Sequence, residues 1–222
     1  RSLLFYLVFY AGTLVLLVLV PFQGRHGMRR VAGAWSGVHR WALRHILRIR
    51  VICEGAPIDR PALYAMRHES FFEAIDSAKL FDAPVVFAKQ ELLEIPVWGG
   101  AATKYGIIPV ARADGAKALR DLMRAAKEAK AEGRPFLIFP EGTRTPHGVE
   151  GDIVSGFAGL YKLLDLPVVP VAVNSGPLYR SFVKRPGQIT YRFGAAVEPG
   201  LPRAEVEARV REAINALQPS AR

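Results

Sequence analysis

The chain has 222 residues, a formal net charge of +10, 50% hydrophobic residues and 23% charged residues. That length suits one sizeable domain with its own core plus an appendage, and the composition excludes a disordered chain. Cys53 is the sole cysteine, which excludes an internal disulfide framework and a multi-cysteine metal site; the basic balance points to anionic partners without choosing among nucleic acid, anionic lipid and phosphorylated substrates.

The chain opens on Arg1 and not Met, so a short preceding piece of the natural terminus is expected. Leu3 to Phe22 then reads LLFYLVFYAGTLVLLVLVPF, without a charge. At about 1.5 Å per residue, a helix over this run matches the roughly 30 Å hydrocarbon core of a bilayer. Tyr6 and Tyr10 are candidates for one interface, and Arg25, Arg29 and Arg30 set the following segment on the cytoplasmic side. A cleaved signal peptide is the competing reading, with Ala32-Gly33-Ala34 as the cleavage site, but the run is long for one and an Arg pair intervenes. Residues 1–24 are therefore read as a membrane-anchoring transmembrane helix.

Val31 to Ile49 interleaves apolar residues with Trp35, Trp41, Arg40, Arg44 and Arg48. Arginines at four-residue spacing line one helical face. Beside a span this reads as a basic amphipathic helix in the headgroup layer, over residues 25–49; packing on the domain with a solvated Arg face is the alternative, and the two are compatible. His39 and His45 read as packing or interface residues.

Residues 50–222 carry short β-branched runs alternating with helical patterns. Arg50–Cys53, Leu63–Met66, Val85–Ala88, Ile107–Val110, Phe136–Phe139, Val168–Val173 and Ile189–Phe193 read as strands, with Cys53 as a small buried residue. Ser70–Leu80, Ala116–Glu132, Phe157–Leu164 and Arg203–Leu217 read as helices. The alternation predicts an α/β fold, a mixed and largely parallel sheet flanked by helices, with ligands at the loops leaving the carboxyl ends of strands.

Four such loops could carry chemistry. Arg67-His68-Glu69-Ser70-Phe71-Phe72-Glu73 leaves a strand and enters a helix. Imidazole is a suitable general base for taking a hydroxyl proton, and a carboxylate on its other nitrogen would fix the tautomer. Glu69, Glu73 and Asp76 are candidate partners, and spacing does not choose among them. Glu73 also completes a capping box with Ser70, so it should point at His68 in the one role and at the backbone near Ser70 in the other. Phe139-Pro140-Glu141-Gly142-Thr143-Arg144 is a turn able to cradle an oxyanion or phosphate. Arg112 closes a short strand and suits bidentate phosphate binding. Val169-Pro170-Val171-Ala172-Val173-Asn174-Ser175-Gly176 is an apolar strand running into a small polar loop. His147 reads as solvent-facing. No G-x-S-x-G elbow, Gly-Lys-Ser/Thr phosphate loop, His-Glu-x-x-His or G-x-G-x-x-G follows a strand.

As an ordered set these segments resemble the glycerolipid acyltransferases, above all the 1-acylglycerol-3-phosphate (lysophosphatidate) acyltransferases. The resemblance runs from about Ala62 to Phe193 and includes Phe87–Leu93 and Ile95–Gly99 between the first two motifs. Phe-Pro-Glu-Gly-Thr-Arg is its most specific string. The family's His-x4-Asp box stands here as His68 to Glu73, one methylene longer, and Ala111 precedes Arg112 where many members carry Asp. The resemblance implies that Glu73 orients His68 as the catalytic base. It places the acceptor's phosphate near Arg112 and Arg144, with Glu141, Gly142 and Thr143 shaping the substrate loop. It also implies direct attack on acyl-CoA or acyl-carrier protein as donor substrate, without an acyl-enzyme, a metal or a bound cofactor. The implied partners are the bilayer and a lysophospholipid acceptor, with no nucleic acid, at the cytoplasmic face of a bacterial inner membrane. Another lysolipid acceptor, such as lyso-ornithine lipid, is the runner-up. A membrane-tethered module binding anionic lipid or nucleic acid is the alternative from another class, and it leaves the ordered motifs unexplained.

Overall fold

The computed structural model describes residues 1–110 and 115–219, with the side chains of 115–119 left aside. Two helices come first, α1 (Ser2–Leu19), continued by a 3-10 turn at Val20–Phe22, and α2 (Arg25–Ala42). Then follow β1 (Ile49–Glu54), β2 (Leu63–Met66), α3 (Phe71–Leu80), β3 (Val85–Lys89), α4 (Trp98–Tyr105), β4 (Ile108–Val110), α5 (Gly115–Ala131) and β5 (Phe136–Ile138). The chain closes with α6 (Ser155–Leu164), β6 (Val168–Val173), the short α7 (Gly176–Tyr179), β7 (Gly187–Phe193) and α8 (Arg203–Ile214).

The seven strands form one sheet in the order β1-β7-β6-β2-β5-β3-β4. Every neighbouring pair is parallel except β6 and β7. Helices on both faces explain why β2 and β6 are apolar throughout: every residue of each is buried. Alternation then sorts the side chains. Leu63 and Ala65 join Val85, Phe136 and Ile138 under α6 and α8, while Tyr64 and Met66 join Leu137, Val169 and Val171 under α1 and α3. Helix α8 meets its face with Val206, Val210 and Ile214, spaced four apart. Each such aliphatic side chain contributes about 1.5–3 kcal/mol on burial.

This topology gathers the loops of interest. Strands β6, β2 and β5 are parallel neighbours, so their carboxyl ends, which feed 174–176, 67–70 and 139–144, lie side by side.

Helix α1 lies against α2, with Phe5 and Phe9 turned inward onto Trp35, His39 and Tyr179. Leu3, Leu7, Leu14, Val15, Val18 and Phe22 remain exposed. Ser2–Phe22, 21 residues, is long and apolar enough to cross a membrane. Both ends are tied to the domain: Tyr6 Oη donates to Phe182 O (2.9 Å) and Lys184 N to Ser2 Oγ (2.9 Å), while Lys104 Nζ donates to Val20 O (3.0 Å).

The amphipathic helix begins at Arg25, where the reading over residues 25–49 starts it, and Ala32-Gly33-Ala34 lies in its interior. A π-turn at Leu43–Leu47 and a left-handed Arg48 (φ 59°) end it. The three arginines expected on one solvated face are therefore split. Arg40 turns to the buried Asp76 (2.5 and 2.7 Å), Arg44 is exposed, and Arg48 caps the turn. His39 is buried, as a packing residue should be. Its Nε2 meets Tyr179 Oη at 2.8 Å, and burial, with Arg40 and Lys184 adding, pushes the imidazole down to about 3.

One expectation fails on this frame, and one helix is additional to those expected. Cys53 is exposed and not buried, because β1 is an edge strand paired only to β7, and its outer end stays open. Helix α4 has no counterpart among the elements expected from the sequence. Here Gly99 is a packing necessity, since a Cβ would lie 1.7 Å from Leu93 O.

Candidate active site

The chain leaves β2 still paired to β6 through Arg67 N to Val171 O (3.0 Å). His68 is then held by its backbone on both sides. Its N–H donates to Glu141 Oε2 (2.7 Å), and its carbonyl accepts from Thr145 N (2.7 Å). The imidazole stacks on Phe139 with centroids 4.1 Å apart and 23° between planes. The side chain keeps 15% exposure, which leaves it reachable from outside.

Nδ1 lies 3.1 Å from Glu73 Oε2. A buried carboxylate can only accept there, so the proton resides on Nδ1 and the lone pair on Nε2. Among the described residues Nε2 has no protein partner. The same Glu73 oxygen accepts from Ser70 N at 3.0 Å, while Ser70 Oγ accepts from Phe72 N at 3.1 Å. The capping box is complete. Glu73 thus points at His68 and caps α3 with one carboxylate. Its other oxygen is met by Ser175 Oγ from the end of β6, and Ser175 Oγ lies 2.7 Å from Ser70 Oγ.

The other candidate partners are engaged elsewhere. Asp76 is buried between Arg40 and Tyr191 Oη (3.1 Å), one turn beyond Glu73. Glu69 points behind His68, where it accepts from Arg67 Nε (3.1 Å), Gly176 N (2.7 Å) and Gln218 Nε2 (2.9 Å). It also meets His147 Nδ1 at 2.9 Å, so His147 is not the solvent-facing residue expected; a buried carboxylate holds it partly inside.

The 139–144 turn divides into an inward and an outward part. Gly142 takes φ +64°, a left-handed conformation that suits glycine, and closes the turn through Gly142 N to Phe139 O (3.0 Å). Glu141 faces inward, buried, between His68 N and Arg67 Nη1 (3.3 Å), and burial pushes its carboxyl above the usual range against those partners. Thr143 and Arg144 face outward, the Arg144 guanidinium 4.0 Å above the Phe71 ring. Arg112 and the preceding Ala111 lie outside the described residues.

Arg67 is fully buried beneath all this. It also meets Asn215 Oδ1 and the carbonyls of Pro146 (3.1 Å) and Val149 (2.6 Å). Arg67 stands beside His68 with no pattern in the sequence that assigns it a task, and none assigns one to Ser175, Asn215 or Gln218 either. Adjacency to His68 was the only signal for Arg67, and the small polar loop after β6 the only one for Ser175.

Among the described residues no group of three or more His, Cys, Asp or Glu could hold a metal ion. A cleft of about 170 Å³ lined by Arg25, Arg29, Glu128, Glu132 and Arg134 lies at the amino ends of β4 and β5, away from His68. The arrangement around His68 can take a proton at Nε2, hold the resulting imidazolium against Glu73, and present Arg144 to an anionic group.

Comparison with known proteins agrees with this chemistry. A family described as acyltransferase matches residues 48–174. A 1-acyl-sn-glycerol-3-phosphate acyltransferase of Pseudomonas aeruginosa is 32% identical over 95% of this chain and 86% of its own length. One of Helicobacter pylori is 38% identical over 39% of this chain and 36% of its own. The crystal structure of the 1-acyl-sn-glycerophosphate acyltransferase PlsC from Thermotoga maritima has the same fold, with TM-score 0.71 and 22% identity over 96% of this chain and 93% of that one.

Proposed function

The chain belongs to the acyltransferase family, and from that premise we propose that it moves a fatty acyl group from a thioester to the free hydroxyl of 1-acylglycerol-3-phosphate, giving phosphatidate. The observation that carries the mechanism is the His68–Glu73 pair at 3.1 Å, with Nε2 left for substrate.

His68 Nε2 takes the proton of the acceptor hydroxyl as that oxygen attacks the thioester carbonyl. Glu73 stabilises the imidazolium that forms. The tetrahedral intermediate collapses, the C–S bond breaks, and the imidazolium returns its proton to the departing thiolate. One ester forms and one thioester is lost, without an acyl-enzyme. Arg144 and Arg112 bind the acceptor's phosphate, the turn at Gly142 and Thr143 shapes the loop, and Glu141 holds the His68 backbone. The residues supply the proton transfers themselves, so the reading calls on no metal or bound cofactor. The donor is acyl-CoA or acyl-carrier protein.

Purified protein supplied with each donor and a panel of lysolipids tests this. Phosphatidate formation from lysophosphatidate is the expected result; activity confined to a phosphate-free acceptor such as lyso-ornithine lipid would move the acceptor, and none with any would sink the reading. Within the same assay Glu73→Gln should lower kcat by roughly tenfold to a hundredfold, the value of one charge-assisted hydrogen bond. Asp76→Asn should leave kcat of the folded protein within about twofold, because its partner is Arg40. The reverse pattern would transfer the orienting role to Asp76.

Helix α1 fits a membrane anchor. We place residues 50–222 at the cytoplasmic face of a bacterial inner membrane, with 25–49 in the headgroup layer; a single span by residues 1–24 requires Ser2 and Tyr6 to leave Lys184 and Phe182, and with those contacts kept α1 anchors the domain from one side through its exposed apolar face. The supporting observations are the charge-free run and the arginines at 25, 29 and 30. Leu7→Glu with Leu14→Glu spares the packed Phe5 and Phe9 and costs about 2.5–3.5 kcal/mol per charge near the middle of a span. The double variant should shift from the membrane pellet to the supernatant; unchanged sedimentation would refute the anchor. Labelling of a cysteine at position 2 by an impermeant reagent from outside would show a full crossing with the Lys184 contact broken, and protection would show an anchor held on one side.

A further inference from the structure

We propose that Arg180 is a second phosphate-binding residue for the acceptor, working beside Arg144; this deepens the reading just given and rests on it. Arg180 follows α7, a few residues past the end of β6, and its side chain crosses the mouth of the site. One nitrogen, Nη1, donates to Glu69 O (3.1 Å) and to Arg144 O (3.3 Å). Glu69 is the neighbour of His68, and Arg144 precedes Thr145, whose N–H holds the His68 carbonyl. The guanidinium therefore bridges the two loops that flank the imidazole.

Its remaining donors face outward. Arg180 is exposed, and among the described residues Nε and Nη2 have no protein partner and no carboxylate lies within ion-pair distance. A guanidinium pinned at one nitrogen keeps its orientation and still offers a two-pronged fork, the geometry that phosphate oxygens accept. A residue serving only to staple the loops would not need charge, since both acceptors are neutral carbonyls.

The surroundings match a single-chain amphiphile. Phe182 and Val183, 66% and 64% exposed, follow directly. Phe182 stacks on Tyr6 of α1 with centroids 5.0 Å apart, so apolar surface runs from Arg180 to the open face of α1. An acceptor with an anionic head and one hydrocarbon tail is recognised at both ends by this strip. Nothing in Tyr179-Arg180-Ser181 marks the residue in sequence; only the return of the chain from β6 brings it to His68.

The experiment compares wild-type protein with Arg180→Ala, Arg180→Lys and the charge control Arg185→Ala. It measures KM for lysophosphatidate, KM for the thioester, kcat, and inhibition by glycerol 3-phosphate. Arg180→Ala should raise KM for lysophosphatidate about tenfold to a hundredfold, as expected for losing hydrogen bonds to a charged group. Glycerol 3-phosphate inhibition should weaken in proportion, while kcat and the thioester KM stay within about twofold. Arg180→Lys should recover part of the loss, and Arg185→Ala should behave as wild type. A fall in kcat with unchanged KM, or unaltered glycerol 3-phosphate inhibition, would overturn the proposal and leave a loop staple. Wild-type protein inactive on lysophosphatidate but active on a phosphate-free lysolipid would overturn the acceptor reading first, and this one with it.

Discussion

His68→Ala should lower acyl transfer by a factor on the order of 10²–10⁴ while the protein stays folded. The substitution removes the only base that the site presents, among the described residues, with a free nitrogen beside Glu73. It does not strand the carboxylate, because Glu73 keeps Ser70 N and Ser175 Oγ as partners. The backbone bonds of residue 68 to Glu141 and Thr145 also survive. The stability cost is therefore confined to the lost stacking on Phe139 and one hydrogen bond, about 1–2 kcal/mol. Initial rates with a thermal melt of the same sample separate the two effects. Near wild-type turnover in a normally folded variant would refute the mechanism.

Arg67→Met should have the largest effect on stability, a loss of about 3–5 kcal/mol. Arg67 and Glu69 are fully buried, and Glu141 nearly so. Removing the guanidinium leaves two carboxylates facing each other's neighbourhood without their shared cation. A loss of that size is a large fraction of the stability of an ordinary domain. Urea unfolding should show a lower midpoint with an unchanged slope. The double variant Arg67→Met with Glu141→Gln should recover part of the loss, because one of the stranded charges is gone. A single variant as stable as wild type would show that the two carboxylates do not depend on Arg67.

The two variants touch parts of the site that were unequally legible in the sequence. His68 and Glu73 lie five residues apart at a strand-to-helix junction, so local spacing already held them close. The strands were legible for a similar reason: Leu63–Met66 and Val168–Val173 are apolar on both faces because helices cover both. Arg67 is different. Its partners Glu141, Asn215, Pro146 and Val149 lie far along the chain, and no local pattern records them. His147 was misread for the same reason, since its carboxylate arrives from residue 69. Cys53 was misread because strand order decides which strand is an edge, and one strand's composition does not. Glu73 itself remained ambiguous between base partner and helix cap, and the ambiguity was real: the carboxylate performs the capping contact and the imidazole contact together.

That shared carboxylate ties the tautomer and orientation of an imidazole to the fraying of a helix. If the first turn of α3 opens, Ser70 N–H and His68 Nδ1–H lose their acceptor in the same event, and the imidazole is free to turn over or shift its proton. Loss of competence then needs only a one-turn excursion, well short of unfolding. The free energy of that small opening, rather than the stability of the whole domain, sets the fraction of molecules ready to react. Ser175 Oγ, reaching across from β6, belongs to that equilibrium as much as the two residues it joins.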